Sequence, residues 1–320
     1  MDTPRKANRF MFLTIIYMMT VPLILNIAAD KTALFNLNSP IGYILYNTAV
    51  IALPLFTVTK IKKIPLTHII PIKKLRWKNA ILIILISIAV QPILSLMSVI
   101  SGMTFKNNVS EMMYENLQYG YIPMIIGVAV MPAICEELIF RGIILSGYKR
   151  AGIGKAAIVT GLFFAIAHLN EQQFIYAMFM GVLFAYFVYY TNSIFSSMLS
   201  HFVINASQIT ALYISNILYP QQAEASLALS NTDKLILLQE SAYTALVFAP
   251  MLIGLIALFV LTNKKLKLDM IDHIMKHSKL IIINPEPEYD TKIFTFSFWL
   301  TIILFIGVIS YKYIAVLIVN

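Results

Sequence analysis

Charge is scarce in this chain. Only 12% of its 320 residues are Asp, Glu, Lys or Arg, and 59% are hydrophobic. A water-soluble domain is about a quarter charged and less than half apolar, so water is excluded as the main solvent. Cysteine is nearly missing as well: Cys135 stands alone, which rules out an internal disulfide and a CxxC metal site. There is no HExxH zinc-protease signature. The chain also lacks the inverted internal repeat and the pair of Gly/Pro-broken helices that mark many transporters, which weighs against a proton-relay transporter. It has no low-complexity linker, so residues 1–320 read as a single integral membrane domain. None of the apolar runs alternates as a barrel strand would. Their backbone amides must then be satisfied within helices.

Apolar runs near the roughly 20 residues that cross a bilayer lie at 10–29, 41–58, 79–101, 121–147, 155–169, 172–190, 192–217, 241–262 and 293–319. They predict an all-α polytopic bundle of about nine transmembrane helices, or eight if the short run 155–169 or the tight junction near 191 merges with a neighbour. The first run follows a basic start but is longer than a signal-peptide core, and is expected to be retained. The net charge of +9 is a topology signal rather than a nucleic-acid signal, because the cations fall in alternate loops. One side holds Arg5 to Arg9, Lys60 to Lys78, Lys149 to Lys155 and Lys264 to Lys292, and the other holds only Lys31, Lys106 and Lys234. The pattern predicts a multi-pass cell-membrane protein with the N-terminus cytoplasmic and, with nine helices, the C-terminus outside. It also predicts anionic lipids as partners of the basic inner loops, with 60–78 and 264–284 at the headgroup surface. Residues 222–240 carry apolar positions at helical spacing and are expected to form an outer surface helix.

Ionisable groups inside hydrocarbon cost at least about 2.5 kcal/mol each on insertion scales, so each calls for a reason. Within the spans these are Glu136, Glu137, Arg141, His168, His201 and Lys312. Lys312 lies near the outer end of the last span and is expected to snorkel. Adjacent helical positions point about 100° apart, whereas Glu137 and Arg141, at i and i+4 with the acid first, share a face and are expected to pair. That leaves Glu136 to face a cavity and activate water. His201 and Asn205 are likewise i and i+4. At about 1.5 Å per residue, Glu136, His168 and His201 lie roughly 16, 20 and 14 Å from the inner ends of their helices, so they can meet at one level and line one cavity. A carboxylate, two imidazoles and an amide are parts for hydrolysis: a base, groups that position water or protonate a leaving amine, and an oxyanion donor. Glu136, His168 and His201 are also a candidate zinc set, so Zn2+ stands as the alternative to a metal-free site. Cys135 points elsewhere and reads as a buried apolar residue.

Three motifs occur in order: EExxxR as Glu136-Glu137-Leu138-Ile139-Phe140-Arg141, FxxxH from Phe164 to His168, and HxxxN from His201 to Asn205. On these residues the segment of roughly 120–210 resembles the CPBP family, the CAAX prenyl protease and bacteriocin-processing (Abi) intramembrane endopeptidases. The resemblance implies an endopeptidase with catalytic residues Glu136, Glu137, His168, His201 and Asn205 and the structural ion pair at Arg141. In it Glu136 activates water, the two histidines assist water and substrate, and Asn205 contributes to the oxyanion hole. It implies a membrane-associated peptide or protein as substrate. The alternative is a non-catalytic membrane scaffold or a bacteriocin self-immunity protein. No role for nucleic acid is expected.

Overall fold

In a computed structural model, residues 3–31, 69–106, 108–220, 230–277 and 292–319 are described, together with isolated positions between 42 and 56. The expected span 41–58 therefore lies essentially outside the described residues. Everything regular among them is helical. The order is α1 (Pro4–Lys31), α2 (Trp77–Ala89), α3 (Gln91–Thr104), the short α4 (Asn108–Glu115), α5 (Tyr121–Ile144), α6 (Ile153–Ala167), α7 (Glu171–Thr191), α8 (Phe195–Leu218), α9 (Asn231–His277) and α10 (Phe296–Val319). Six stretches among the described residues are long and apolar enough to cross a membrane: Pro4–Leu25, Trp77–Thr104, Tyr121–Ile144, Glu171–Thr191, Thr232–Lys264 and Phe296–Ile314. Ile153–Ala167 is a shorter apolar helix.

The helices pack as a bundle, with α6 against α7, α8 against α2 and α5, α9 against α2 and α3, and α1 against α10. The helix α6 is apolar all round, from Ala156 to Ala167, and nearly every one of its residues is buried. A helix of that kind belongs in the centre rather than at a surface. Within Trp77–Thr104 the chain breaks at Val90, and Pro92 follows at the start of α3, where its missing amide is tolerated. The break aims Gln91 at α8, where its amide donates to Ser207 Oγ at 2.6 Å and to Ile204 O at 3.3 Å.

Because lipid is as apolar as leucine, close backbone approach and shared polar groups bring membrane helices together. Gly161 on α6 and Gly181 on α7 meet back to back: a Cβ placed on Gly181 would lie 2.6 Å from Gly161 Cα. Elsewhere Asn79 and Asn263 exchange side-chain hydrogen bonds at 2.9 and 3.2 Å between α2 and α9. Ser87 and Ser200 join α2 to α8 at 2.7 Å.

Three expectations change in the structure. Residues 231–240 are the first turns of α9 rather than a separate surface helix, begun by a reciprocal cap between Ser230 and Asp233. The other end of α9 runs on through the lysines to His277. At 1.5 Å per residue its 47 residues span about 70 Å, more than twice a hydrocarbon core, so the helix extends beyond the bilayer. Lys312 does more than snorkel: its Nζ donates to Leu169 O at 2.6 Å and lies 3.9 Å from Glu171, closing the α6–α7 turn, where Leu169 has a φ of +48°.

The glycine contact yields a test. Gly161→Val pushes a side chain into the α7 backbone, with Met178 O only 2.9 Å from the added Cβ, and is expected to cost about 1–3 kcal/mol. Gly254→Ala, with open space around its Cβ, is expected to be neutral or stabilising by up to about 1 kcal/mol. Denaturation of the two purified variants in detergent reads out the difference.

Candidate active site

The site is assembled from four helices. Helix α5 departs from regular α geometry in two π-helical stretches, Ile125–Val130 and Leu138–Ile144, on either side of the acidic pair. Such widened turns occur mostly as local insertions at functional positions. The second stretch carries Arg141, which is 1% exposed. Its Nη1 donates to Glu137 Oε1 at 2.8 Å, and its Nη2 donates to Gly181 O at 3.1 Å. The guanidinium also lies over two aromatic rings, 4.4 Å from the Phe164 centroid and 5.0 Å from that of Phe184. Desolvated cation–π contacts of this kind are worth about 2 kcal/mol or more.

The same Glu137 Oε1 lies 3.0 Å from Nδ1 of His201, which is buried. Glu137 thus holds Arg141 and His201 together, and its position is set by both. Glu136, one residue earlier and only half buried, points away from this cluster. Its Oε2 is buried and takes no hydrogen bond from the protein. His168 caps the C-terminus of α6, with Nδ1 2.8 Å from Phe164 O. The Phe164 ring stands between the two imidazoles, 4.9 Å from that of His168 and 5.8 Å from that of His201, both edge to face. Asn205 donates from Nδ2 to Val128 O at 2.9 Å, tying α8 to the first widened turn of α5.

These contacts determine the tautomers. A backbone carbonyl and an ionised carboxylate only accept hydrogen bonds, so each histidine carries a proton on Nδ1, and a neutral ring then offers Nε2 as an acceptor. Asn205 keeps a second amide proton after serving Val128.

His201 is buried and His168 partly buried, and Glu137 and Arg141 are paired. The four residues Glu136, His168, His201 and Asn205 do not line either of the two cavities that flank the centre. The rings of Phe164 and Phe184 pack against His201, with centroids 5.8 and 5.3 Å from its own. The cavity toward the basic end has Arg141 in its wall, and the other is bounded by Gln91, Gln172 and Ile209. The candidate zinc set does not converge either: among the described residues no three His, Cys, Asp or Glu side chains are arranged to hold a metal ion. Glu137 Oε1, the carboxylate oxygen that does touch a histidine, is already engaged by Arg141.

Sequence reasoning did not anticipate Phe184, Gly181 or Val128. The Gly161 and Gly181 pair in two apolar runs was the available signal, as small residues mark close helix contacts. Nothing local marks Val128, because its role is a carbonyl.

Residues 118–207 match the family model described as type II CAAX prenyl endopeptidase Rce1-like. The matched segment runs through α5, α6 and α7 and into α8 as far as Asn205, and covers all three motifs. Over this segment the chain is similar to that family of membrane proteases. No curated protein and no solved structure matches the chain.

The unequal surroundings of the two glutamates predict unequal stability effects. Glu137→Gln leaves Arg141 charged and poorly compensated in a dry setting, and is expected to cost on the order of 3–5 kcal/mol. Glu136→Gln breaks no hydrogen bond to the protein and is expected to unfold within about 0.5 kcal/mol of the parent. Denaturation in detergent compares the two.

Proposed function

We propose that this chain is an intramembrane endopeptidase that cleaves a membrane-associated peptide or protein with water activated by Glu136. The carrying observation is the pairing of a buried, unengaged Glu136 oxygen with two imidazoles whose Nδ1 atoms are both occupied. The family match to a protease family supports the reaction class.

In this reading Glu136 takes one proton from water, and the oxygen attacks the scissile carbonyl carbon. One histidine Nε2 accepts a hydrogen bond from the water's other O–H, which stays on the attacking oxygen, and the other accepts a hydrogen bond from the scissile amide N–H. The spare amide proton of Asn205 donates to the developing oxyanion. As the C–N bond breaks, Glu136 returns its proton to the leaving amine. Glu137 and Arg141 stay ionised throughout and hold His201 in register. The residues present do not fit a zinc site, and no step passes through a metal.

Cleavage by the purified protein in nanodiscs, assayed with CAAX-type peptides bearing or lacking a prenyl group, tests the proposal. Glu136→Gln is expected to abolish turnover while the protein still inserts and folds. His168→Ala and His201→Ala should match it, and Asn205→Ala should lose about 10²- to 10³-fold. Cys135→Ser is expected to be silent. Full turnover by Glu136→Gln would sink the assignment of the base. A cellular phenotype that survives this substitution intact would transfer that phenotype to the scaffold reading. A second expectation concerns metal: turnover should persist in strong chelators, and loss of activity together with a stoichiometric zinc ion would overturn the metal-free mechanism.

A further inference from the structure

At the basic end of the bundle a cavity of about 600 Å³ opens between α2, α7 and the α5–α6 connection. Its mouth carries Lys73, Arg76 and Lys149, and among the described residues no acidic side chain lines it. None of the three forms a salt bridge with the described residues. They come from separate segments with fixed backbones. Lys73 lies in the stretch 69–76, which is clamped to the α7–α8 turn where Ile194 N donates to Pro71 O at 2.9 Å and Ser193 Oγ donates to Lys73 O. Arg76 is the residue that begins α2, and Lys149 opens the turn Lys149–Ala151. The floor is Arg141, whose Nε–H is buried and donates to no acceptor in the protein. The walls are apolar, with Leu145, Ile153 and Val188 among them.

The level of the mouth follows from its neighbours. Trp77 is 69% exposed directly after Arg76, and Lys78 Nζ lies 5.6 Å from its ring centroid. Tyr189 and Tyr190 stand on the other side of the opening. Aromatic and basic side chains in such a ring mark the boundary between headgroups and hydrocarbon.

We infer that this cavity is a built binding site for an anionic phospholipid, its phosphate held among Lys73, Arg76 and Lys149 and its chain ends against the apolar walls. Basic pockets between membrane helices select anionic headgroups, and here the selection is set by side chains fixed on three segments rather than by a diffuse basic surface. Phosphate is the shared chemistry of a lipid headgroup and a free anion. The apolar walls and the level of the mouth favour the lipid. The assignment is independent of the proposed peptidase activity.

The test uses the full chain in phosphatidylcholine nanodiscs containing a minor fraction of phosphatidylglycerol, with retained lipid counted by native mass spectrometry and affinity measured at physiological salt. One phosphatidylglycerol per chain is expected to be retained in preference to phosphatidylcholine. Lys73→Gln/Arg76→Gln/Lys149→Gln is expected to weaken it roughly 100-fold. Lys74→Gln/Lys78→Gln removes charge from the same surface outside the cavity and should stay within about threefold of the parent. Lys149→Gln alone, on an exposed turn, guards against misfolding: with unchanged thermal unfolding it should still weaken retention. Equal retention of the two lipids would overturn the site, as would an equal loss per charge in the control variant or no effect of Lys149→Gln. Displacement by excess inorganic phosphate would overturn the lipid assignment, because a site that needs the apolar walls is not emptied by the anion alone.

Discussion

A guanidinium buried among apolar helices governs the arrangement of this protein. Charge at that depth is tolerated only when partners compensate most of it. Arg141 is answered by a carboxylate on its own helix, by a backbone carbonyl on α7 and by two aromatic faces. Each answer constrains something else. The carbonyl of Gly181 is reachable because α6 and α7 touch at two glycines. The aromatic answer places Phe164 beside the arginine, and that ring then separates the two imidazoles. The carboxylate answer commits Glu137 and orients His201 through the same oxygen.

Two neighbouring glutamates with the same intrinsic chemistry therefore serve different ends. Glu137 is engaged by permanent partners and works as a positioning group. Glu136 lies a quarter turn or so around the helix, with an oxygen that no protein donor occupies. The widened turns that flank the pair allow one helix to hold an arginine near α7 and, 13 residues earlier, to offer Val128 O to Asn205 on α8. A regular helix would aim one of these groups elsewhere.

Around this centre the bundle is held by neutral polar contacts in pairs, among them Asn79 with Asn263 and Ser87 with Ser200. Such pairs add modest stability in lipid and specify which helices meet. They also explain the character of α8, which carries Ser196, Ser197, Ser200 and His201 buried against its neighbours and depends on packing rather than hydropathy for its place.

The linear order of apolar runs determined that the chain is helical and multi-pass, because backbone groups in hydrocarbon admit no other local solution. It also marked the costly residues, since Glu136, Glu137, Arg141, His168 and His201 break otherwise apolar runs, and the i to i+4 spacing of Glu137 and Arg141 is a local property that survives folding. What lay beyond its reach depends on groups distant in the chain or without a side-chain signature. The choice of Glu137 as the partner of His201, 64 residues away, is one case. The use of the Gly181 and Val128 carbonyls is another, since every residue owns such a group. The contact of Phe164 and Phe184 with His201, the uninterrupted helix from Asn231 to His277, and the seat of Lys312 on the α6–α7 turn came from packing between helices. Only tertiary structure decides which surfaces of apolar helices meet, because their hydrophobicity is the same in every direction.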